Sequence, residues 1–268
     1  MITLITGDHI RHKYLVDSFS KNFDDICWII EKREDVIPSI DRSFNSQIQN
    51  LQKIHFEKRY QSEKDFFSEK AGDYSKTKSI KIFEINKEDI ENGKLDKILN
   101  NIDSNILITY GCHKISNKTL SKFKYLKWNV HGGLSPWYRG VATHFWPSYM
   151  LEPEFTGVTL HELSEEIDGG NIIHQTSINL NSNDGVHDNA CRVVKNFSDN
   201  VPKMIKLNII NEKKIIGINH TSTGRIWTQK MWSPLHLKII YEVYKDRINE
   251  YCLNNKDVKK PKLVTVLN

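Results

Sequence analysis

Apolar residues fall in short runs separated by longer polar stretches. Residues 1–6 read as a buried strand closed by Gly7, and 26–30 (Ile-Cys-Trp-Ile-Ile) as a second. Between them, 9–23 places Tyr14, Leu15, Ser18, Phe19 and Phe23 at helical spacing. From 41 to 70, Leu51, Ile54, His55, Phe56, Tyr60, Phe66 and Phe67 predict a long helix. Then 80–85 predicts a strand, 88–99 a helix, 105–110 a strand, 116–123 a short helix and 126–131 another strand. Strand and helix alternating in this way argue for a Rossmann-like α/β fold, a mostly parallel sheet flanked by helices. In such a sheet ligands sit beyond the carboxyl ends of the strands. Gly7 and His131, both at strand ends, are expected to face one crevice.

The texture changes after residue 155. Residues 156–163 alternate through Val158, Leu160 and Leu163, and 171–180 continue as a strand after the Gly169-Gly170 turn. Residues 184–210 predict a long helix interrupted at Pro202. Residues 223–232 predict a strand, 234–251 a helix with Leu235, Ile239, Val243 and Ile248 on one stripe, and 263–267 a terminal strand. The expected division is a core of residues 1–215 and a small α+β extension of 216–268 packed on it, serving as a dimerisation element.

Composition narrows the class. The 268 residues are 38% hydrophobic, enough for a core, so disorder as the main state is excluded. No apolar run is long enough to span a bilayer. Asp8, His9, Arg11 and His12 stand where a signal peptide needs its apolar stretch. A cytoplasmic protein without membrane partners is expected. The net charge of +5 is mildly basic and reads as a solvated surface rather than a nucleic-acid grip. Cys27, Cys112, Cys191 and Cys252 are isolated, which predicts reduced thiols, no disulfide framework and no metal site.

The densest chemistry lies in Asn129-Val130-His131-Gly132-Gly133-Leu134-Ser135-Pro136-Trp137-Tyr138-Arg139-Gly140. Asn129 and His131, two apart on a strand, share a face. The Gly pair and Pro136 make a loop that admits a ligand close to the backbone. Thr156-Gly157-Val158-Thr159-Leu160-His161 and Ile167-Asp168-Gly169-Gly170 follow. An amide, an imidazole and a carboxylate are the parts of an acyl-transfer site: the amide stabilises an oxyanion, the imidazole moves protons near neutral pH, and the carboxylate tunes the imidazole. Each residue also has a structural reading. Asp168-Gly169 suits a turn, His161 a satisfied core histidine, Cys112 a small hydrophobe, and Arg139 a pin for the loop through backbone hydrogen bonds. Trp227 and Trp232 read as core or interface residues.

The order and spacing of these pieces resemble the folate-dependent formyltransferases: an Asn-x-His strand, a Gly/Ser-Leu-x-Pro loop with a downstream Arg-Gly, a Gly-x-Thr-x-His strand and Asp-x-Gly, over residues 105–175. The resemblance implies 10-formyltetrahydrofolate as donor and a primary amine as acceptor, with no metal. It implies Asn129, His131 and Asp168 as the catalytic trio. It places the pterin over Tyr110-Gly111-Cys112-His113-Lys114-Ile115 and Glu165-Glu166-Ile167, and His161 near Asp168. Gly133-Leu134-Ser135-Pro136 stands where the family often has Ser-Leu-Leu-Pro.

Within that family the purine-pathway enzymes begin with a Gly-rich phosphate loop, whereas here Gly7 stands alone. The initiator-tRNA enzymes add a barrel, for which the roughly fifty residues after Ile216 are too few. The chain resembles more closely the formyltransferases of nucleotide-linked amino sugars. That branch implies a homodimer, a dTDP-linked 3- or 4-amino 6-deoxyhexose ahead of GDP- and UDP-sugars, and a product for a surface polysaccharide such as O-antigen. Gly7, Asp8, His9, Arg11, His12, Gly132, Gly133 and His161 are the expected acceptor contacts, with Arg11 or His12 on the pyrophosphate. His55-Phe56-Glu57-Lys58-Arg59-Tyr60 offers a second cationic-aromatic cluster. Methionyl-tRNA formyltransferase and formyltetrahydrofolate hydrolase are the alternatives, although hydrolases usually carry an N-terminal regulatory domain. A nicotinamide dehydrogenase, to which Glu31 at the end of the second strand would lend a ribose ligand, lacks its G-x-G-x-x-G loop. An RNA-binding module leaves the trio unexplained.

Overall fold

A computed structural model of the chain describes residues 1–33, 38–67, 80–164, 166–220 and 224–267. The runs of β-branched and aromatic residues form β1 (Ile2–Thr6), β2 (Ile26–Glu31), β3 (Ile80–Ile85), β4 (Ile106–Tyr110) and β5 (Leu126–His131). Between them lie α1 (Ile10–Ser20), α2 (Ser46–Phe67), α3 (Lys87–Glu91), α4 (Lys94–Asn100) and α5 (Asn117–Leu120). Next come β6 (Tyr138–Gly140), α6 (Trp146–Tyr149), β7 (Gly157–Glu162), β8 (Ile172–Ser177), α7 (Val186–Ile210), β9 (Arg225–Trp227) and α8 (Ile248–Asn255). The order in the main sheet is β3-β2-β1-β4-β5-β7-β8. The first five strands in that order run parallel, and β7 and β8 are antiparallel additions. The mostly parallel, helix-flanked sheet expected from the sequence is therefore present. Strand order reverses between β1 and β4, which opens the crevice where a doubly wound sheet holds ligands.

Alternation along each strand builds two cores. Leu4, Trp28, Ile108 and Trp128 face one side, where they meet Leu15, Phe19, Val194 and Phe197 of α1 and α7. Ile5, Cys27, Ile29 and Leu107 face the other and meet Leu95, Leu99 and Phe123. Full burial of a side chain such as Phe197 contributes about 1.5–3 kcal/mol. A third cluster joins α2 and α6 to the C-terminal segment through Ile48, Leu51, Trp146, Trp227, Leu237 and Ile240.

Several boundaries differ from the sequence expectation. The 88–99 helix splits into α3 and α4 at Gly93, whose φ of +81° lies in the left-handed region. The predicted end of α2 at Lys70 lies outside the described residues. Helix α7 runs through Pro202 without a break. Ser198, Val201 and Pro202 are all buried there, and packing against the sheet and α1 outweighs one lost backbone bond.

The C-terminal residues depart further. Thr223 is outside the described residues, and the expected 223–232 strand shortens to β9, paired in parallel with β6. Trp227 stacks on Trp146 with ring centroids 4.2 Å apart. Residues 234–251 are not one helix: a 3₁₀ turn (Pro234–His236) and a π-helical turn (Ile239–Val243) precede Lys245 and Asp246, both with positive φ, and then α8. Of the predicted stripe Ile248 is buried, but Leu235 and Val243 are exposed and Leu237, Ile240 and Cys252 take the buried positions. The terminal strand is reduced to irregular pairing along β8, where Gln175 N–H donates to Val264 O and Val266 N–H to Ile173 O.

The break before α8 has a structural use. Asp246 Oδ1 accepts the Val186 N–H at 3.0 Å, capping α7 from sixty residues away, and Asp246 Oδ2 is held by Lys58 Nζ of α2 at 2.9 Å. The C-terminal segment is thereby fastened to both helices that flank the crevice.

Candidate active site

Two rows of side chains across β4, β5, β7 and β8 organise the site. Thr109, Asn129 and His161 are register partners on three adjacent strands. His131, Thr159 and Gln175 form the next row. In the first row the Thr109 hydroxyl donates to Asn129 Oδ1 at 2.7 Å. His161 Nδ1–H donates to Glu162 O at 2.8 Å, so its Nε2 accepts from Asn129 Nδ2 at 3.1 Å. The amide is thus fixed with its oxygen on Thr109, one N–H on His161 and one N–H left for a ligand. In the second row Thr159 Oγ1 accepts from Ser135 N–H and donates to Gly133 O, while Gln175 Nε2 donates to Ser135 O. That row fixes the loop after β5.

His131 is buried at the head of the second row. Its Nε2 faces Tyr138 O at 2.9 Å and its Nδ1 faces Asp168 Oδ2 at 3.2 Å. Asp168 has φ of +46° and is held by Gly140 N–H at 2.9 Å. Arg139 Nε donates to Ile167 O at 3.0 Å and pins the same loop, as its structural reading supposed. His161 Nε2 lies 3.5 Å from Asp168 Oδ1. Burial works to raise the Asp168 carboxyl, but the neighbouring His131 and the Gly140 N–H outweigh it and hold the group at about 2. Burial lowers the His131 imidazole, more than the Asp168 charge raises it. The resting pair is therefore a carboxylate facing the lone pair of a neutral ring. One added proton turns that contact into an N–H···O bond.

The trio opens into a cavity of about 750 Å³. Gly7, Asp8, His9, Arg11, His12, Tyr110, Gly111, Cys112, Asn129, His131, Gly132 and Asp168 all line it, so the expected meeting of Gly7 and His131 is realised. The same cavity is lined by α2 (Gln52, His55, Phe56, Arg59, Glu63) and by Gln229, Trp232 and Pro234 from the C-terminal segment.

Other sequence candidates are placed differently. His161 is buried behind Asn129 and does not line the cavity; it acts on Asn129 and Asp168 rather than on a ligand. His12 is 3% exposed, packs edge-on against Tyr110 and fills the space over Gly7 and Gly111, where a Cβ would stand 2.7 Å from its ring. Burial lowers its pKa well below the usual value, so it brings no cation to a pyrophosphate. Arg11 is ion-paired with Glu63. Gly133 lies beneath the cavity, against His131 Nε2.

Beyond β4, Ile115 is a core residue, packed with Leu95, Leu99 and Phe123. His113 is turned to Glu31: the fully buried carboxylate accepts its backbone N–H at 2.7 Å and pairs with its ring. Glu31 is thus a structural clamp, not a ribose ligand. Lys114 is exposed and off the cavity. Glu165 lies outside the described residues. Glu166 lines a smaller adjoining pocket, and the Ile167 side chain is exposed at the rim. Burial pushes the Cys112 thiol up to about 12, which makes it inert.

Sequence reasoning missed Thr109, Gln175 and Gln52, and it quoted Tyr138, Gly140 and Thr159 within motifs without giving them a role. The two Thr and Gln175 become visible once strand register is known, since each stands directly across from a motif residue. Tyr138 and Gly140 act through backbone atoms that no side-chain pattern reveals.

Residues 45–205 match the model of the Formyl transferase family, and the chain belongs to that family. The bifunctional polymyxin resistance protein ArnA of Wigglesworthia glossinidia brevipalpis is 32% identical over 157 residues, 56% of this chain and 23% of that protein. The methionyl-tRNA formyltransferase of Prochlorococcus marinus (strain MIT 9312) is 37% identical over 82 residues, 30% of this chain and 24% of that protein. The matched regions span about a quarter of the length of these curated relatives. Among solved structures, the N-formyltransferase from Helicobacter canadensis in complex with folinic acid and dTDP-3-aminofucose superposes with a TM-score of 0.55 at 20% identity, covering 91% of this chain and 82% of that one. At that identity the likeness is one of fold. Among the described residues no helix is long and apolar enough to cross a membrane, and no group of His, Cys, Asp or Glu is placed to hold a metal ion.

Proposed function

We propose that the chain is a sugar N-formyltransferase, which moves the formyl group of 10-formyltetrahydrofolate to the amine of a nucleotide-linked amino sugar. The observation that carries this reading is a single cavity with two unlike walls. One wall holds the amide, imidazole and carboxylate suited to acyl transfer. The other holds the aromatic rings of Phe56 and Trp232 and the Arg59 guanidinium, suited to a base and a phosphate. The neighbour solved with folinic acid and dTDP-3-aminofucose shares the fold and supports the same acceptor class.

In this reading residues 1–215 form the catalytic core and 216–268 complete the acceptor wall. Tyr110, Gly111 and Cys112 at the end of β4, with the rim at Glu166 and Ile167, hold the pterin. A neutral sugar amine attacks the formyl carbon. The carbonyl oxygen, gaining negative charge, takes the remaining Asn129 N–H. As the C–N bond forms, the amine proton passes into the gap between Asp168 Oδ2 and His131 Nδ1. The same proton is returned to N10 of the folate as its bond to the formyl carbon breaks. The products are a formamide and tetrahydrofolate, with no net change in the pair. A dTDP-linked 3- or 4-amino 6-deoxyhexose is the first acceptor proposed, with the formamido sugar destined for a surface polysaccharide such as O-antigen.

The test is consumption of 10-formyltetrahydrofolate by the full chain with a panel of nucleotide-linked amino sugars, initiator methionyl-tRNA and no acceptor. Consumption that depends on one amino sugar is the expected result. Equal consumption without any amine would identify a hydrolase, and dependence on the tRNA alone would replace the sugar reading.

A further inference from the structure

One face of α2 runs along the acceptor wall: Gln52, His55, Phe56, Arg59 and Glu63, at helical spacings of three and four residues, all line the cavity. Gln52 is 2% exposed. Its Oε1 accepts the Asp41 backbone N–H at 2.9 Å. A backbone N–H can only donate, so this bond fixes which end of the amide is which. The Nε2 that remains is buried and has no partner among the described residues. Gln52 lines the cavity, and its two amide N–H groups lack the acceptor that buried donors require.

The next turns of the helix indicate what that acceptor belongs to. Phe56, one turn on, forms an aromatic wall with Trp232, their ring centroids 6.5 Å apart. The Arg59 guanidinium lies 5.2 Å from the Phe56 ring centre. At about 1.5 Å of rise per residue, Arg59 is roughly 10 Å along the helix from Gln52. Donor, aromatic surface and cation therefore follow one another in the order of a nucleobase edge, a base face and a phosphate.

Resting on the nucleotide-sugar reading above, we infer that Gln52 is a specificity-determining residue that reads the carbonyl edge of the acceptor's nucleobase. Thymine and uracil offer a carbonyl oxygen to such donors, and guanine offers O6 and N7. At the position equivalent to thymine or uracil O4 and guanine O6, cytosine and adenine carry an exocyclic amine instead. Because the Gln52 oxygen is committed to Asp41, the amide cannot flip to accommodate those amines. The site takes a nucleoside diphosphate with a keto base and rejects one with an amino base.

The test is calorimetric titration of the full chain with dTDP, UDP, GDP, CDP and ADP, with tetrahydrofolate binding measured in parallel. At least one of dTDP, UDP and GDP should bind tenfold or more tightly than CDP and ADP, and the comparison among the three identifies the base. Gln52→Glu keeps the acceptor for Asp41 but replaces the donors with an oxygen. It should reduce the keto-to-amino preference by tenfold or more while tetrahydrofolate binds as before. Phe56→Ala should weaken all five diphosphates alike. Equal affinity for the five in the parent chain, or a preference unmoved by Gln52→Glu, overturns the assignment of Gln52 and leaves the sugar-nucleotide reading standing. A Gln52→Glu chain that loses tetrahydrofolate instead assigns the donors to the folate and also overturns it. Binding of tetrahydrofolate with no diphosphate bound at all overturns both.

Discussion

Thr109 Oγ1 donates to Asn129 Oδ1 at 2.7 Å across the β4–β5 pairing, so a buried hydroxyl on one strand sets the direction of an amide on the next. Thr109→Val preserves shape and removes that donor. Turnover should fall about tenfold, the equivalent of one hydrogen bond, with the KM for folate unchanged and activity recovered in Thr109→Ser. Asn129→Ala, which removes the proposed oxyanion donor itself, should cost roughly 100-fold or more. If Thr109→Val turns over like the parent chain, the orienting role is wrong.

The contact between His131 Nδ1 and Asp168 Oδ2 makes a pH prediction. The pair accepts a proton only when His131 is neutral, and burial holds that ring below its ordinary value of 6.5. The active form therefore persists down to and below pH 6.5. Turnover should be flat between pH 7 and 8 and decline only on an acid limb below about 6.5. Asp168→Asn should lower turnover roughly 100-fold or more with folate affinity retained. An acid limb centred above pH 7 would contradict the assignment.

Gly133 is confined by the same imidazole. A Cβ there would stand 2.4 Å from His131 Nε2 and 2.5 Å from Tyr138 O, inside the bond that holds the ring. Gly133→Ala should destabilise the fold by about 1–3 kcal/mol through overpacking and depress turnover through displacement of His131. Thermal melts and initial rates on one preparation check both, and a variant unaffected in either would show that the loop can yield.

Asp246 ties the C-terminal segment to α7 and α2. Asp246→Ala should cost about 1 kcal/mol as a lost cap. It should also raise the KM for the acceptor while leaving folate affinity unchanged, because Trp232 and Gln229 belong to the same segment. Steady-state kinetics in each substrate separate the two effects.

Buried neutral histidines set an acid limit on stability. Burial lowers His55 and His144 to about 3, with Arg59 and Arg11 respectively adding to the effect. The unfolded chain binds protons at these positions below 6.5 and the folded chain does not. Their contribution is complete above pH 6.5 and declines as pH falls from there toward 3. One pH unit below 6.5 each favours unfolding by about 1.4 kcal/mol. The melting temperature should therefore drop between pH 7 and 5.5, and His55→Gln should reduce that slope.

Much of the fold was legible because short β-branched runs admit few alternatives. The five parallel strands appear where the apolar pattern puts them, and the motif residues converge because strands pair in register. The failures share a cause. Pro202, the stripe at Leu235 and Val243, and the split at Gly93 were judged from local preference, whereas packing or a single positive φ decides them. His12 and His161 show the same limit within the site: a histidine that packs or orients is indistinguishable in sequence from one that meets a ligand. Thr109 was hidden because threonine is an ordinary strand residue, and for it, as for the motif residue Thr159, only cross-strand neighbours reveal the role.

The remote cap on α7 bears on how such a chain can be recombined. On the proposed function, the piece after residue 216 that carries Trp232 is a unit to exchange between related enzymes when the acceptor is to be changed. Yet its carboxylate at Asp246 completes a helix that belongs to the recipient, and Lys58 on the recipient completes the carboxylate. A chimera that imports the segment without a matched lysine and an open helix start would carry the new recognition surface and lose the alignment that makes it useful. Viable exchanges should retain all three together, so the heritable unit of specificity is larger than the segment that touches the ligand.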